Sequence, residues 1–381
     1  MKAHGFCSDG FEGVRQTFES NFDKGRELGA CVAVTRDGKP VVDLWGGDAD
    51  GQGTPWAEDT LVNVYSTTKT MAAICILVLA DRGEIDLYSP VAQYWPEFAQ
   101  AGKEGVTIAH VMSHSAGLSG FDPPLQRVDQ LYDWDGICEH LAAQAPWWEP
   151  GTQSGYHAVT QGFMQGEVVR RVTGRSLGTF FKEEIAEPLD ADFHIGLEPA
   201  HDSRVGELQP PETGLQSSEE ADPESVVART FAGAFLDATE PRTEAWRRAE
   251  IPAAGGIGNA RSVARIHSAL ACGGQVGGVT LMSEAGVLRA LEEQTRGEDL
   301  VFGVPMVFGM GFGLNDPCFP VSPNERAFFW GGWGGSVAII DLDARVSIAY
   351  VMNKMQADLM GDTRGAEIAA AVYTSLAQMT V

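Results

Sequence analysis

Residues 61–81 read LVNVYSTTKTMAAICILVLAD and carry more structural information than any other stretch of the chain. Residues 61–65 indicate a short extended segment, and residues 70–80 form an apolar run with the length of a helix. A helix that is apolar on all sides is buried in the protein. Ser66 stands where that helix starts, a position at which serine is a favoured N-cap, and Lys69 follows on the same helix face. The stretch therefore predicts that the side chains of Ser66 and Lys69 meet at the start of a buried helix.

A serine and a lysine in this arrangement can serve as a nucleophile and its base. Loss of hydration disfavours the ammonium form of a lysine and lowers its pKa. The neutral amine of Lys69 can then take the proton of the Ser66 hydroxyl. The same residues also fit a capped helix whose lysine extends to solvent. The pattern alone leaves both interpretations open.

Two further segments supply the groups that a serine–lysine pair lacks. Tyr156 follows a Pro150–Gly151 turn and precedes a helix predicted from Ala158. A phenol beside a cationic lysine shifts toward phenolate, which suits general acid–base catalysis. The stretch 330–336, WGGWGGS, contains four glycines, which let a substrate approach the backbone N–H groups of an oxyanion hole. Taken alone, a buried tyrosine and a tight turn would explain these segments equally well.

The order of strand and helix patterns predicts the topology. Residues 29–35 and 40–47 are strand-like and are separated by RDGK (36–39), whose Asp-Gly pair is typical of a hairpin. Short apolar strands return after residue 300, a last helix is predicted over 363–379, and the region between is mostly helical. This order predicts an α+β fold with an antiparallel sheet built from both termini, flanked by helices and carrying a mostly helical insertion.

We expect one catalytic domain at residues 11–378. Its predicted parts are an α/β lobe at about 1–75 and 241–381 and a helical lobe at about 76–240. The acidic, proline-rich residues 199–226 are predicted to form a surface loop.

Ser66–Lys69, Tyr156 and Trp330–Gly332 resemble, in order and spacing, the three motifs of the serine β-lactamase and penicillin-binding protein family. The chain is most similar to family VIII carboxylesterases and class C β-lactamases, over residues 11–378. The resemblance implies the β-lactamase/transpeptidase-like fold. Connecting segments that share it are HVMSHSAGL (110–118), AGGIGNARS (254–262), FGMGFG (308–313) and VMNK (351–354).

The resemblance also implies a mechanism of acyl transfer. Ser66 would be the nucleophile, and Lys69 with Tyr156 would act as general base and acid. The backbone N–H groups of Ser66 and Trp333 would form the oxyanion hole. Water activated by the same Tyr156–Lys69 pair would hydrolyse the acyl-enzyme. No metal and no organic cofactor is implied.

Two departures from the family pattern concern the substrate. Where β-lactamases of this fold have the Asn of the tyrosine motif and the Lys of the third motif, this chain has Ala158 and Trp330. Losing an amide and a cation while gaining an aromatic wall favours neutral, apolar esters, and Trp330 is similar to the tryptophan of family VIII esterases. The residues expected to line the substrate pocket are Trp330, Gly331, Gly332, His157, Trp148 and Phe121.

Two other functions remain open on the sequence. A β-lactam or amide hydrolase, of β-lactamase or D-amino-acid peptidase type, would use the same scaffold. A non-catalytic binding protein of this fold would have no need of an intact Ser66, Lys69 and Tyr156. We therefore predict a serine hydrolase that cleaves small carboxylic esters.

Composition and charge limit the classes of binding partner and the cellular compartment that we expect. The 381 residues carry a formal net charge of −25, which repels phosphate backbones and anionic lipid head groups. We expect a small-molecule ester as partner, with no nucleic acid and no membrane. The six cysteines show no C-x-x-C spacing, the N-terminus lacks the apolar core of a signal peptide, and the longest apolar run, 71–80, is too short to cross a bilayer. These features predict a cytoplasmic protein and leave open whether it is a monomer or a homodimer.

Two other motifs are better explained by structure than by chemistry. Gly174–Gly178 (GRSLG) matches the G-x-S-x-G nucleophile elbow, which needs a strand before its serine, whereas residues 165–173 are helical in pattern. Ser176 is therefore predicted to be a helix N-cap. His110 and His114 have the spacing of a zinc-binding helix but lack the following glutamate and a third ligand. No metal site is expected there.

Overall fold

Strands from the two ends of the chain pair in one antiparallel sheet. The computed structural model describes residues 1–212, 222–233 and 237–379. Within these residues the strands are β1 (His4–Cys7), β2 (Gly29–Arg36), β3 (Lys39–Gly47), β4 (Val62–Asn63), β5 (Phe193–Ile195), β6 (Gly256–Gly258), β7 (Gln275–Val276), β8 (Val279–Thr280), β9 (Thr295–Glu298), β10 (Pro305–Phe308), β11 (Gly313–Leu314), β12 (Ala327–Gly331), β13 (Val337–Asp341) and β14 (Val346–Met352).

The main sheet of the described residues has the strand order β1-β3-β2-β14-β13-β12-β11-β10-β9. In it, β2 from the N-terminal part of the chain pairs with β14 from the C-terminal part, and Val34 lies opposite Ile348. This pairing confirms the predicted sheet built from both termini. The turn from β2 to β3 has positive φ at Asp37 (50°) and Gly38 (73°), which is the conformation that an Asp-Gly hairpin turn adopts.

Two small sheets accompany the large one. β4, β6 and β5 form a three-stranded sheet, and β7 pairs with β8. In the first of these, Asn63 of β4 pairs with Ile257 of β6. The end of β4 is thereby fixed just before Ser66.

Helices pack on the main sheet and form most of the connecting region. The α-helices of the described residues are α1 (Glu12–Asp23), α2 (Thr68–Asp81), α3 (Ile108–Met112), α4 (Trp134–Ala143), α5 (Thr160–Thr173), α6 (Leu177–Phe181), α7 (Val226–Thr230), α8 (Glu244–Arg248), α9 (Ala260–Ala271), α10 (Glu284–Leu288) and α11 (Thr363–Met379). Helix α9 contacts β2, β13 and β14, whereas α11 contacts α1 and β14.

Helix α2 is the buried helix that the sequence predicts. Its residues Thr68–Leu79 are all buried, and it packs against α5, α6 and α10. Its start differs from the expectation. Ser66 belongs to a 3-10 turn, Tyr65–Thr67, and Thr67 stands at the N-cap position without a side-chain cap hydrogen bond. The Ser66 hydroxyl therefore does not cap the helix.

Other predictions have mixed outcomes. The expected surface loop 199–226 contains a 3-10 helix, Pro199–Arg204, and its residues 213–221 lie outside the described residues. The division into two lobes stays a prediction.

All six cysteines are free thiols. Among the described residues, no helix combines the length and apolar character needed to span a bilayer.

Candidate active site

Ser66 lies in a tight turn between β4 and α2. Tyr65, directly before it, has a left-handed φ of 44°, which a bulky side chain adopts only when its surroundings enforce it. The Tyr65 ring packs against Trp333 and Trp246, with ring centroids 5.0 and 6.3 Å apart. The strained residue is thus held by aromatic contacts, and it fixes the direction in which Ser66 follows.

Lys69 is buried beside Ser66 and is surrounded by oxygen atoms. Its Nζ donates hydrogen bonds to the backbone carbonyls of Ala158 and Ala253, at 2.7 and 3.0 Å. The same nitrogen lies 3.1 Å from Ser66 Oγ and 2.9 Å from the Tyr156 hydroxyl. The structure therefore brings together the three side chains that the sequence predicts to be catalytic.

The protonation state of Lys69 follows from this environment. Burial lowers the pKa of Lys69 well below its usual value, because the ammonium loses hydration. A neutral amine has two N–H donors and one lone pair. The two backbone carbonyls can only accept, so in the neutral form they take both N–H groups, and the single lone pair can accept from one of the two hydroxyls, that of Ser66 or that of Tyr156. This is the arrangement of a base.

Tyr156 connects the nucleophile to the base. Its hydroxyl forms a short hydrogen bond with Ser66 Oγ in addition to the contact with Lys69. Burial raises the pKa of Tyr156, a hydrogen bond with Ser66 opposes the rise, and the charge of Asp299 adds to it. The sequence-based expectation of a phenol shifted toward phenolate is therefore not what the structure favours. The lowered pKa of Lys69 favours its neutral form, which offers no ammonium to stabilise a phenolate, and the raised pKa of Tyr156 favours the phenol.

The glycine-rich turn between β12 and β13, residues 332–336, packs directly against the nucleophile turn. A Cβ on Gly332 would lie 2.2 Å from the carbonyl oxygen of Val64, so only glycine permits this approach. Ser336, just after the glycines, donates from Oγ to the Val64 carbonyl at 2.9 Å and lies 2.9 Å from Thr67 Oγ1. These contacts place the backbone around Trp333 beside Ser66. The oxyanion-hole role of the two N–H groups stays a prediction.

Trp330 occupies the position where β-lactamases of this fold have a lysine. Its ring is buried, stacks on His114 with centroids 5.3 Å apart, and lies 5.8 Å from the Tyr156 ring. Its indole Nε1 is buried without a hydrogen-bond partner among the described residues. The wall beside Tyr156 is therefore aromatic and uncharged. Gly331 of the same strand packs against the backbone of Met360.

The other predicted pocket residues are His157, Trp148 and Phe121. His157 is fully buried; its Nδ1 bonds the Gly155 carbonyl at 2.6 Å, and its Nε2 accepts the Leu118 N–H at 3.1 Å. Backbone groups therefore use both ring nitrogens, and the structure assigns His157 to the scaffold of the loop instead of an open pocket wall. Trp148 is half-buried, with its ring at an edge-on 5.9 Å from His157. Phe121 is buried against His140. Their contact with substrate stays a prediction.

The remaining sequence motifs have structural roles. Ser176 is the N-cap of α6, accepts the Thr179 N–H and donates to Glu250 at 2.6 Å. It follows helix α5, not a strand, so the G-x-S-x-G match is not a nucleophile elbow. His110 accepts the Thr107 N–H in a capping box at the start of α3.

One cluster has the composition of a metal site. The potential ligand atoms of Asp192, His194 and His201 all lie within 4.8 Å of one another. Arg204 already donates to Asp192 and to His201 Nδ1. The guanidinium therefore supplies the positive charge of this cluster and uses the lone pairs that a metal ion would need.

Comparison with known proteins identifies the family. The family model described as Beta-lactamase matches residues 14–373. The chain belongs to the β-lactamase family, and it is a serine hydrolase of the β-lactamase fold.

Three relatives cover nearly all of the chain. The esterase/beta-lactamase LipL of Mycobacterium tuberculosis is 36% identical over 373 residues, which are 94% of this chain and 85% of that protein. The crystal structure of a family VIII carboxylesterase is 44% identical with a TM-score of 0.92, over 98% of this chain and 100% of that one. A penicillin-binding protein homolog from Caulobacter crescentus is 43% identical with a TM-score of 0.93, again over 98% and 100% of the two chains.

Proposed function

We propose that this protein is a carboxylesterase that hydrolyses small, neutral esters through an acyl-enzyme on Ser66. The observation that carries the proposal is the environment of Lys69 Nζ. Two backbone carbonyls accept from it, and the hydroxyls of Ser66 and Tyr156 lie within hydrogen-bond distance, so its single lone pair in the neutral form is left to one of these two hydroxyls. A buried, neutral lysine in hydrogen-bond contact with a serine hydroxyl can take the serine's proton and so activate the serine as a nucleophile.

In acylation, Ser66 Oγ forms a bond to the ester carbonyl carbon while its proton passes to Lys69 Nζ, directly or through the Tyr156 hydroxyl. The backbone N–H groups of Ser66 and Trp333 stabilise the negative charge on the carbonyl oxygen. When the tetrahedral intermediate collapses, the bond to the alcohol oxygen breaks. The proton returns through Tyr156 to that oxygen, and the alcohol leaves.

Deacylation repeats these steps with water in place of Ser66. Water gives a proton to the Tyr156–Lys69 pair and its oxygen attacks the acyl carbon. The bond to Ser66 Oγ breaks, and the proton returns to Ser66. The acid is released and the enzyme regains its starting state, so no cofactor enters the cycle.

Two features favour esters over β-lactams. Trp330 has no charge with which to bind a substrate carboxylate, and Ala158 has no side-chain amide to hold a substrate amide. Two of the relatives are named as an esterase/beta-lactamase and a family VIII carboxylesterase. β-Lactam or amide hydrolysis is the second candidate, favoured by the 43% identity to a penicillin-binding protein homolog.

We extend the proposal to partners and location. The partner is a small ester, because a net charge of −25 disfavours nucleic acids and anionic membranes. Six free thiols fit a reducing compartment, and we propose the cytoplasm.

The test compares a short-chain p-nitrophenyl ester with a chromogenic cephalosporin. Wild type, Ser66→Ala and the control Ser176→Ala are assayed in parallel. The proposal predicts ester turnover that Ser66→Ala abolishes and Ser176→Ala retains, with little cephalosporin turnover. Rapid cephalosporin turnover lost in Ser66→Ala would instead establish the second candidate. Ester activity that survives Ser66→Ala would overturn the nucleophile assignment.

A further inference from the structure

A buried carboxyl group lies against the backbone of the catalytic tyrosine. Asp299 is fully buried, and its Oδ1 accepts the backbone N–H groups of Tyr156, Val301 and Phe302 at 3.1, 2.9 and 3.0 Å. Its Oδ2 is also buried and has no hydrogen-bond partner among the described residues. Burying a carboxyl group costs free energy. A neutral hydrogen-bond acceptor could close the turn at residues 299–302 without that cost, so the buried carboxyl group indicates that Asp299 has a further role.

The turn organised by Asp299 holds the Tyr156 loop at two further points. The N–H of Leu300 donates to the carbonyl of Ser154 at 2.9 Å. The Phe302 ring stacks on the Tyr156 ring, with centroids 4.5 Å apart and planes 20° apart. Residues 154–156 are thus fastened to residues 299–302 through both backbone and ring.

We propose that Asp299 is the positioning residue of Tyr156, fixing the phenol between Ser66 Oγ and Lys69 Nζ. The inference rests on the proposed function, in which Tyr156 transfers the proton. Asp299 fixes the backbone nitrogen of Tyr156, and Phe302 fixes the plane of its ring. With both constraints in place, the hydroxyl has one position, in contact with the nucleophile and the base.

Loss of Asp299 would release the loop at its centre. The Tyr156 N–H would lose its acceptor, and Phe302 would lose the bond that directs its ring. Misplacement of a catalytic group by about 1 Å costs on the order of 10²-fold in rate. Because Tyr156 acts in the chemical step, the loss is expected in kcat and not in KM.

The test is a set of double-mutant cycles on ester hydrolysis. Asp299→Ala should lower kcat about 100-fold with KM changed less than about threefold. Asp299→Asn keeps an oxygen acceptor and should recover kcat to within about tenfold of wild type. Phe302→Leu, at a partly exposed position that should tolerate the change, should lower kcat about three- to tenfold. In a Tyr156→Phe background each further loss should be less than about threefold.

A matched control is available in Asp341, another fully buried aspartate. It accepts hydrogen bonds from Ser322 and from the Ala344 N–H. Asp341→Ala should lower the melting temperature and leave kcat unchanged.

The outcomes distinguish a failure of the proposed proton transfer by Tyr156 from a failure of the positioning role of Asp299 alone. If Tyr156→Phe itself keeps wild-type kcat, the proposed proton transfer by Tyr156 is refuted. If Tyr156→Phe is impaired but Asp299→Ala or Phe302→Leu loses as much rate in that background as in wild type, only the positioning role of Asp299 is refuted. Unchanged kcat in Phe302→Leu and in folded Asp299→Ala would also overturn it.

Discussion

Replacing Ser336 by alanine should weaken catalysis by loosening the turn between β12 and β13, which carries Trp333. Ser336 Oγ joins that turn to the nucleophile turn through the Val64 carbonyl and the Thr67 hydroxyl, at 2.9 Å each. All of these groups are buried. The atom that the substitution removes, Ser336 Oγ, forms its hydrogen bonds with Val64 and Thr67 and not with Ser66. A change in rate would therefore report on the distance between the turn that carries Trp333 and the turn that carries Ser66.

The size of the effect can be worked from these contacts. The Val64 carbonyl keeps the N–H of Thr67 at 3.3 Å, so the Thr67 hydroxyl bears most of the loss. A buried polar group left unpaired costs about 1–3 kcal/mol of stability. Removing an oxyanion donor costs about 10²–10³ in rate. Displacing one is milder, and we expect kcat about tenfold lower.

The assay is steady-state hydrolysis of a p-nitrophenyl ester together with thermal unfolding. Thr67→Val removes the Ser336–Thr67 hydrogen bond but leaves the bond from Ser336 to the Val64 carbonyl, so it should cost less than Ser336→Ala, and the two losses should not add. Ser347→Ala is the matched control, because its hydroxyl is buried in β14 without a partner among the described residues. It should keep both stability and rate. Unchanged kcat in Ser336→Ala, or an equal loss in Ser347→Ala, would refute the reasoning.

Three other substitutions test separate parts of the site. Lys69→Arg should lower ester turnover at least about 10²-fold at every accessible pH, since arginine stays protonated and cannot serve as a base. In the wild type, burial lowers the pKa of Lys69. The wild type should therefore lose activity only as the pH falls below that lowered pKa and the amine gains a proton. Trp330→Lys should raise the ratio of cephalosporin to ester turnover by restoring a cation, and a ratio that stays fixed would count against the role of Trp330 in substrate choice. Gly332→Ala should reduce both melting temperature and turnover, because its Cβ would lie 2.2 Å from the Val64 carbonyl oxygen. A variant with the melting temperature and turnover of the wild type would contradict the close packing of Gly332 against Val64.

Local patterns in the sequence predict the elements that depend on local physics. The apolar run of α2, the Asp-Gly turn at residues 37–38 and the cap at Ser176 each follow from neighbours along the chain. The sheet built from both termini follows from the placement of strand patterns at the two ends. The order of the motifs predicts family membership over residues 11–378, and the family model matches residues 14–373.

Other features depend on contacts between distant residues, which no local pattern contains. Asp299 contacts Tyr156 across 143 positions, and Ser336 contacts Val64 across 272. The protonation of Lys69 and Tyr156 likewise depends on how completely the surrounding helices exclude water. A sequence pattern indicates that the two side chains lie close together, but not the extent of burial that lowers the pKa of Lys69 and raises that of Tyr156.

The most direct test of the central claim is the mass of the protein quenched during turnover of p-nitrophenyl acetate. The account predicts a covalent adduct of one acetyl group, located by peptide mapping on Ser66 and absent from Ser66→Ala. An adduct on another residue, or turnover by Ser66→Ala at the wild-type rate, would contradict it.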